Sequence, residues 1–264
     1  MSPMLATKYY LSQVRFPCFV QPKYDGVRCI LHVGEDEEIH LTSRGGKEYD
    51  VPQIKEWGEK HRNILPLDGE IYNHNELTFQ QICSAVKCRS ELTGKLKMVI
   101  YDTQIRGDFK SRWYTLKKTF ENMRQNDCVY LTQTFVVNNE EDIKRWHRIF
   151  VSMGYEGAII RNSDGDYTEG RSGDLMKLKD FDTTEFEIVN VLEAAGNDVG
   201  TAIFMLRVGD CNFCARPIGS KKLRAKYLKD RNKLIGKAAT VQHQGYTDAG
   251  VPRFPVMLNV RDYE

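Results

Sequence analysis

The sequence contains no apolar run long enough to cross a bilayer, which requires about 20 consecutive apolar residues. Its first eleven residues carry Lys8 and two tyrosines without an apolar core, so they do not resemble a secretory signal. These two absences argue against a membrane-spanning or secreted protein. They lead us to expect a cytoplasmic protein with no membrane partner.

A disulfide framework and a zinc site are also missing from the pattern of the sequence. Seven cysteines stand at irregular positions, which favours reduced thiols over paired ones. Cys211 and Cys214 have the spacing of metal ligands, but no second cysteine pair or suitable histidine run accompanies them. The six histidines match no ligand or triad pattern, and we interpret them as ordinary surface or core residues.

Strong net charge is a further absence, because 38 basic and 36 acidic residues leave only +2. The overall charge therefore does not indicate a nucleic-acid partner, and the distribution of charge matters more. Residues 216–237 carry many cations and a single acid, Asp230. This segment fits contact with a phosphate backbone, the polar face of an amphipathic helix, or both. The apolar side of that helix is formed by Leu223, Tyr227, Leu228 and Leu234, and its cations are Arg216, Lys221, Lys222, Arg224, Lys226, Lys229, Arg231, Lys233 and Lys237.

What is present is the composition of a globular chain, with 41% apolar and 28% charged residues over a length of 264. Short strands alternate with helices until about Lys179, after which alternating apolar residues and turn-formers indicate a small antiparallel barrel. We therefore predict an α+β protein with domains at 1–182 and 183–264. The helices are predicted at 51–61, 78–87, 115–125 and from the cap at Asn139 to Gly154.

The segment from Lys23 to Arg28, Lys-Tyr-Asp-Gly-Val-Arg, carries the strongest chemical signal. An amine attacks phosphorus only after it loses its proton, and burial or nearby cations lower the pKa of a lysine. Arg28 and an expected Mg²⁺ supply such cations beside Lys23. The spacing therefore predicts an activated lysine that faces a phosphate.

Five further segments follow in order. Arg44 ends a strand beside glycines, Glu70 stands in Asp-Gly-Glu, and Tyr101 ends an apolar strand. Lys177 and Lys179 alternate on one strand and so share a face, where two ammonium groups can meet one anion. Each segment alone has an ordinary structural interpretation, such as an exposed hairpin arginine for Arg44 or a core residue for Tyr101. The segments are Leu41–Gly46, Leu67–Tyr72, Met98–Asp102, Tyr155–Arg161 and Leu175–Lys179.

Together these segments resemble the ordered motifs of the covalent nucleotidyltransferases, which comprise ATP-dependent DNA ligases, RNA ligases and mRNA capping enzymes. The resemblance implies that Lys23 is the catalytic nucleophile and that ATP and Mg²⁺ are the cofactors. It implies that Tyr101 and Ile159 cover the two faces of adenine and that Gln21 accepts a hydrogen bond from the adenine amine. The implied nucleotide contacts are Gln21, Lys23, Arg28, Arg44, Glu70, Tyr101, Ile159, Arg161, Lys177 and Lys179, and the implied metal ligands are Glu70 and Glu156.

The resemblance extends through the second half of the chain. It implies a nucleotidyltransferase (adenylation) domain of antiparallel sheets with flanking helices, followed by a C-terminal OB-fold β-barrel. Segments 235–241, 245–247 and 250–256 resemble the end of that barrel in DNA ligases. The last family motif ends in lysine, but this chain ends Val260–Glu264 without one. We expect Arg253 and Arg261 to substitute for it in orienting pyrophosphate.

The resemblance therefore implies an ATP-dependent DNA ligase that acts as a monomer on nicked duplex DNA. In the implied reaction, Lys23 takes AMP from ATP, AMP passes to a 5′-phosphate, and a 3′-hydroxyl displaces it. Three alternatives stay open at this point: an RNA ligase, a GTP-using capping enzyme, and a DNA-binding module without catalysis. Covalent labelling by ATP or GTP, and activity on nicked DNA or RNA, separate them.

Overall fold

The computed structural model describes residues 2–74, 76–123 and 128–261 of the chain. The chain folds into two compact units, Met1–Lys179 and Asp180–Glu264. Both units combine strands and helices, which confirms the predicted α+β class. The predicted boundary between functional domains, at residues 182 and 183, stays a prediction.

Two five-stranded sheets form the first unit, and most neighbouring strands within them are antiparallel. We name them sheet I, with strand order β1-β10-β9-β2-β8, and sheet II, with order β4-β3-β5-β6-β7. Only the pairs β1–β10 and β6–β7 are parallel within the described residues of this unit. The strands are β1 (Met4–Lys8), β2 (Cys18–Lys23), β3 (Val27–Val33), β4 (Ile39–Ser43), β5 (Leu67–Tyr72), β6 (Lys97–Thr103), β7 (Val129–Leu131), β8 (Phe135–Val137), β9 (Gly157–Asn162) and β10 (Gly170–Lys179).

Four α-helices occur in the described part of the first unit, and side chains cap the N-termini of three of them, α2, α3 and α4. Asn139 accepts a hydrogen bond from the amide of Asp142 at 2.9 Å, and Gly154 follows the helix with φ of 88°. Thr78 forms a capping box with Gln81. These starts and stops agree with the predictions. The helices are α1 (Pro52–Lys60), α2 (Phe79–Ala85), α3 (Phe109–Glu121) and α4 (Glu140–Ser152).

The prediction for α3 was wrong at its start. The helix begins at Phe109 rather than near residue 115, because the Asp108 carboxylate accepts the amide of Ser111 at 2.8 Å and caps it there. The stripe of Phe109, Arg112, Trp113 and Leu116 faces the interior. Its arginine broke the apolar pattern and hid the first turn. Gln125, where the prediction ended this helix, lies outside the described residues.

Sheet I has one face for packing and one for chemistry. Ala158, Ile160 and Met176 are fully buried against Ile143 and Phe150 of α4. Because side chains alternate along a strand, the residues between them face the other way. That opposite face carries the lysines of β2 and β10.

The second unit is a closed five-stranded barrel with one helix. Its strand order, β11-β12-β13-β15-β14, closes the sheet by pairing β14 with β11, and the helix α5 (Lys221–Lys229) lies between β13 and β14 in the chain. This arrangement confirms the predicted OB-fold barrel. The strands are β11 (Asp182–Glu193), β12 (Ala202–Val208), β13 (Cys211–Pro217), β14 (Ala238–His243) and β15 (Val256–Val260).

In its first turn, the helix α5 buries a different residue from the one that the sequence predicted. Tyr227, Leu228 and Leu234 pack on the barrel core as expected, but Leu223 is 40% exposed. The buried position in the first turn belongs to Arg224, which is only 7% exposed. Helical spacing alone therefore assigned the wrong residue of this adjacent pair to the interior.

Among the described residues, no helix combines the length and the apolar character that crossing a membrane requires.

A buried group of charges joins the two sheets of the first unit. Asp102 on β6 accepts Nε of Arg112 at 2.8 Å and Nη1 of Arg161 at 2.7 Å. All three side chains are at most 4% exposed. Because Arg161 lies on β9 and Arg112 on α3, one carboxylate links sheet I, sheet II and a helix.

We predict that Asp102→Ala lowers the free energy of unfolding of the first unit by about 3–5 kcal/mol, since it leaves two buried guanidinium groups without their counter-charge. Urea denaturation followed by tryptophan fluorescence measures this, because Trp57, Trp113 and Trp146 all belong to the first unit. The control is Glu141→Ala, which removes an 81% exposed carboxylate and is expected to change stability by less than about 0.5 kcal/mol. A loss no larger than the control's would contradict the structural role of Asp102.

Candidate functional site

Three neighbouring strands of sheet I place three lysines on one face. Lys23 on β2 is opposite Gly157 on β9, and Gly157 is opposite Lys179 on β10. In the next row of the same face, Ile159 stands opposite Lys177. Residues in register on adjacent strands share a face, so the expected nucleophile and both lysines of the last motif meet here.

Gly157 lies between Lys23 and Lys179 in the register of the sheet. Its φ is 150°, and a Cβ at this position would lie 2.2 Å from the carbonyl oxygen of Leu178. No other residue fits without moving the backbone of β10. The residue that precedes β9 bonds both lysines.

That residue is Glu156, which accepts hydrogen bonds from both lysines. Oε2 bonds Nζ of Lys23, and Oε1 bonds Nζ of Lys179. Partial burial acts to raise the pKa of Glu156, but the two ammonium groups outweigh it and hold that pKa below its ordinary value. Glu156 is therefore an ionised carboxylate that holds Lys23, the expected nucleophile, beside a second cation.

Lys177 completes the cationic row. Desolvation, followed by repulsion from Lys179 and Lys23, holds the pKa of Lys177 below its ordinary value. The carboxylate of Glu156 acts to raise it. The three lysines carry more positive charge than Glu156 neutralises, so an additional anion is electrostatically favourable here.

Tyr101 reaches the site from sheet II through a β-bulge. The partner of Asp68 is Asp102, whereas the partner of Gly69 is Ile100, so Tyr101 is the extra residue of β6. A bulge re-aims a side chain relative to the simple alternation of the strand. The Tyr101 hydroxyl donates to the carbonyl of Gly69 at 3.1 Å, and its ring is half-buried. Burial is the main cause that raises its pKa well above the ordinary value.

Glu70 brings the second carboxylate. It pairs across sheet II with Arg28, and one of its oxygens lies 3.4 Å from the Tyr101 hydroxyl. Burial raises the pKa of Glu70 to about 7, although Lys23 and Arg28 act to lower it. Electrostatic repulsion from Glu156, the other predicted metal ligand, also raises the pKa of Glu70.

Arg28 does not act on Lys23 as directly as the sequence suggested. Its Nε donates to Oδ1 of Asp68 at 2.9 Å and its Nη2 bonds the other oxygen, while the hydroxyl of Tyr167 donates to Asp68 at 2.7 Å. Asp68 is completely buried. A buried carboxylate requires such partners, so much of the charge of Arg28 is compensated within the protein.

Gln21 and Arg161 are bonded to each other and to other parts of the protein. Nε of Arg161 donates to Oε1 of Gln21 at 2.9 Å, and the same arginine bonds Asp102. The amide of Gln21 donates to the carbonyl of Tyr101 at 3.2 Å and to Thr134. Both side chains are buried, and these bonds link β6 to β9. Their expected contacts with a nucleotide stay a prediction.

The remaining predicted positions differ in exposure. Ile159 is half-buried on the lysine-bearing face, whereas Arg44 is exposed in the turn after β4. Arg261, expected to help orient pyrophosphate, pairs with Glu185 at 2.9 Å inside the second unit, and Arg253 lies 5.6 Å from the ring of Phe254. The unusual tail from 262 to 264 lies outside the described residues.

The donor set fits a magnesium ion better than a transition metal. No group of three or more histidine, cysteine or acidic ligands occurs in the described parts of the chain. Mg²⁺ needs only one or two carboxylates, because it retains waters and binds substrate phosphates. Glu70, half-buried with a raised pKa, is a carboxyl that an added cation would stabilise in its charged form.

Sequence interpretation missed the side chains that support this site. Asp102 stands directly after Tyr101, Asp68 opens the Asp-Gly-Glu segment, and Arg112 lies on the apolar stripe of α3. The signal that could have revealed them is a charged residue at a position whose neighbours are all buried. Such a charge must be paired, and the three residues are paired here.

The chain matches the family model of the ATP dependent DNA ligase domain over residues 3–179. A DNA ligase of African swine fever virus is 28% identical over 200 residues, which is 70% of this chain and 47% of that protein. The DNA ligase of Enterobacteria phage T6 is 23% identical across 98% of this chain and 68% of its own length. The chain thus spans about half the length of the swine fever virus relative.

Two solved structures have a similar fold. One, from a structure-function study of Lig E DNA ligases and DNA binding with a minimal scaffold, superposes with a TM-score of 0.78 at 22% identity and covers 99% of both chains. The Chlorella virus DNA ligase-adenylate superposes with a TM-score of 0.57 at 24% identity, covering 100% of this chain and 99% of the other. At such identities the likeness shows the fold alone.

We predict that Glu70→Gln makes the first unit more stable than the parent protein above neutral pH. The folded pKa of about 7 exceeds the ordinary 4.5, so the parent loses stability as pH rises between these values. The expected gain at pH 8 is roughly 1–3 kcal/mol, and it disappears near pH 4. Urea denaturation at both pH values measures it, with the exposed acid variant Glu121→Gln as the control. A pH-independent difference would contradict the raised pKa.

Proposed function

This chain belongs to the ATP-dependent DNA ligase family, and from that premise we propose that it seals nicks in duplex DNA with ATP as the adenylate donor. We assign residues 1–182 to adenylation and 183–264 to an OB-fold domain that contacts DNA. The observation that carries the proposal is the meeting of Lys23, Lys177 and Lys179 on one sheet face around Glu156. Nicked duplex DNA is the proposed partner, and the protein acts as a cytoplasmic monomer.

In the first proposed step, Lys23 attacks the α-phosphorus of ATP. The nitrogen of Lys23 loses one proton to Glu156 or to water before the attack and a second to solvent after it. A nitrogen–phosphorus bond forms, and the bond to the bridging oxygen breaks so that pyrophosphate leaves with the electron pair. Lys177 and Lys179 face the developing negative charge from the same strand. The AMP is then transferred to the 5′-phosphate of the nick, and the 3′-hydroxyl displaces it to join the strands.

The clamp of Glu156 on Lys23 and Lys179 gives the first step a built-in requirement. An ammonium has no lone pair for attack, so Lys23 must pass a proton to Glu156 or to water before the reaction. An incoming polyphosphate offers Lys179 a stronger anion than one carboxylate does. Release of Lys179 weakens the hold on Glu156 and allows Lys23 to move away from it.

Adenine is proposed to bind between Tyr101 of sheet II and Ile159 of sheet I, which supply an aromatic and an aliphatic surface. Gln21 and Arg161 act as positioning residues here, because they fix the backbone of Tyr101 and the strand that carries Ile159. Arg44, exposed after β4, remains the proposed contact to ribose or phosphate. Arg28, which pairs with Asp68, contributes positive charge to the proposed site beside Glu70.

Glu70 and Glu156 are the proposed holders of Mg²⁺. When bound, the ion would supply positive charge to the phosphates of the nucleotide. The protein side of this arrangement is a carboxyl with a raised pKa, Glu70, next to an ionised one. Glu70 then becomes ionised at neutral pH, because a neighbouring cation favours its charged form.

We predict that the protein forms a covalent adenylate when incubated with ATP labelled at the α-phosphate and Mg²⁺, and that Lys23→Ala forms none. Denaturing electrophoresis measures the retained label. Lys23→Arg serves as the matched variant, since it keeps the positive charge at Glu156 but has no amine that can attack. GTP in place of ATP is expected to give no label, and labelling by GTP alone would favour a capping enzyme.

A second prediction separates the DNA and RNA substrates. The adenylated protein is expected to seal a nicked DNA duplex at least ten times faster than the same nick in duplex RNA, because the family is one of DNA ligases. Gel separation of the joined strand measures both rates. Faster sealing of the RNA nick would support the RNA ligase alternative, and binding of nicks without any label would support a non-catalytic module.

A further inference from the structure

The cationic segment 216–237 contains one arginine that the barrel does not satisfy. Arg224 lies in the first turn of α5 and is 7% exposed, yet its Nε has no hydrogen-bond acceptor among the described residues. Its Nη1 lies 3.1 Å from Oδ1 of Asp198 without the geometry of a hydrogen bond. Buried donors of charged groups are nearly always bonded, so this one points to a missing acceptor.

Asp198 is shared by a second arginine. Nη2 of Arg216, at the end of β13, lies 2.7 Å from its other oxygen, and the side chain of Arg216 is 57% exposed. One carboxylate therefore faces two guanidinium groups and cannot supply enough acceptors for both. Lys221, whose Nζ lies 3.5 Å from the carbonyl of Asn197, adds a third cation beside the same turn.

The backbone around the cluster is built to stay in place. Thr201 is fully buried and its hydroxyl donates to the carbonyl of Asp198 at 2.7 Å. Glu193 accepts the amide of Gly200 at 2.9 Å, which closes the loop between β11 and β12. Ser220 caps the first turn of α5 by accepting the amide of Leu223. The positive end of the helix adds to the surplus of positive charge.

We propose that Arg216, Arg224 and Lys221, arranged around Asp198, form a binding site for a phosphate group. The planar guanidinium matches the oxygens of phosphate, and a tetrahedral anion supplies the acceptor that Nε of Arg224 lacks. The site lies in the barrel unit and is separate from the adenylation chemistry of the first unit. The favoured source of the phosphate is the backbone of a duplex, and this choice of source rests on the proposed function.

Asp198 gives this site a property that a purely structural cluster would not have. Its carboxylate pairs with the arginines that we propose bind the anion, and its negative charge repels any phosphate that approaches. Neutralising it by Asp198→Asn is therefore expected to tighten binding of a nicked duplex about threefold. If the cluster only held the loop to the helix, the same change would leave binding equal or weaken it.

One charge-removing variant is expected to change duplex binding in the opposite direction. Arg216→Gln is expected to weaken duplex binding about tenfold and to reduce the slope of the logarithm of affinity against the logarithm of salt by about one. The matched control is Arg207→Gln, which removes a 55% exposed arginine of the same barrel that pairs with Glu187. Thermal unfolding of each variant shows whether the barrel remains folded.

The experiment uses the full chain and separates the two sources of phosphate. The Nε–H resonance of Arg224 in a nitrogen–proton correlation spectrum is followed during titration with inorganic phosphate and, separately, with a nicked duplex. We expect the resonance to shift with both probes, and Arg224→Lys to identify it by its loss. A shift with inorganic phosphate, combined with duplex binding that Arg216→Gln leaves unchanged, would support the phosphate site and overturn its assignment to nucleic acid.

The phosphate site is overturned if the resonance responds to neither probe, or if folded Asp198→Asn binds the duplex more weakly than the parent chain. Labelling of Lys23 by ATP is measured on every variant and is expected to be unchanged. Loss of labelling in the parent chain would instead contradict the proposed ligase activity. The two failures are therefore distinguishable.

Discussion

The buried carboxylate of Asp102 is the interaction on which the first unit depends. Asp102 lies on a strand of sheet II and binds Arg161 of sheet I and Arg112 of α3. The two sheets therefore share one buried network of charges. Charges there cannot be left unpaired, and this makes the spacing of the sheets precise. The proposed adenine surfaces, Tyr101 and Ile159, stand beside the residues of this network. The network therefore sets the width of the proposed nucleotide site.

A second constraint is that two lysines share one carboxylate, Glu156. Glu156 bonds both Lys23 and Lys179, which flank Gly157 in the register of the sheet. The arrangement holds Lys23, the proposed nucleophile, close to the lysines that we propose meet phosphate. A similar arrangement occurs in the barrel, where the carboxylate of Asp198 forms ion pairs with two arginines. In both places an internal carboxylate stands where we propose that a phosphate binds.

Much of the fold could be predicted from the sequence because local signals agreed with the tertiary result. Asn139, Thr78 and Gly154 define helix ends through hydrogen bonds within a few residues, and alternation placed Lys177 and Lys179 on one face. The predictions failed where a buried charge broke the apolar pattern. Arg112 hid the start of α3, and Arg224 took the buried position that helical spacing had given to Leu223. A single sequence does not show which distant carboxylate will pair with an arginine.

The sequence by itself determined the candidate nucleophile, the order of the motifs, the barrel in the second half and the family resemblance, because these depend on residue type and spacing along the chain. Only the tertiary structure decided that Gln21 and Arg161 are bonded to each other and to sheet II, that Arg28 is compensated by Asp68, and that Tyr101 is turned by a bulge. The physical reason is that burial forces each polar group to find a partner, and partners such as Gln21 and Arg161 lie 140 residues apart along the chain.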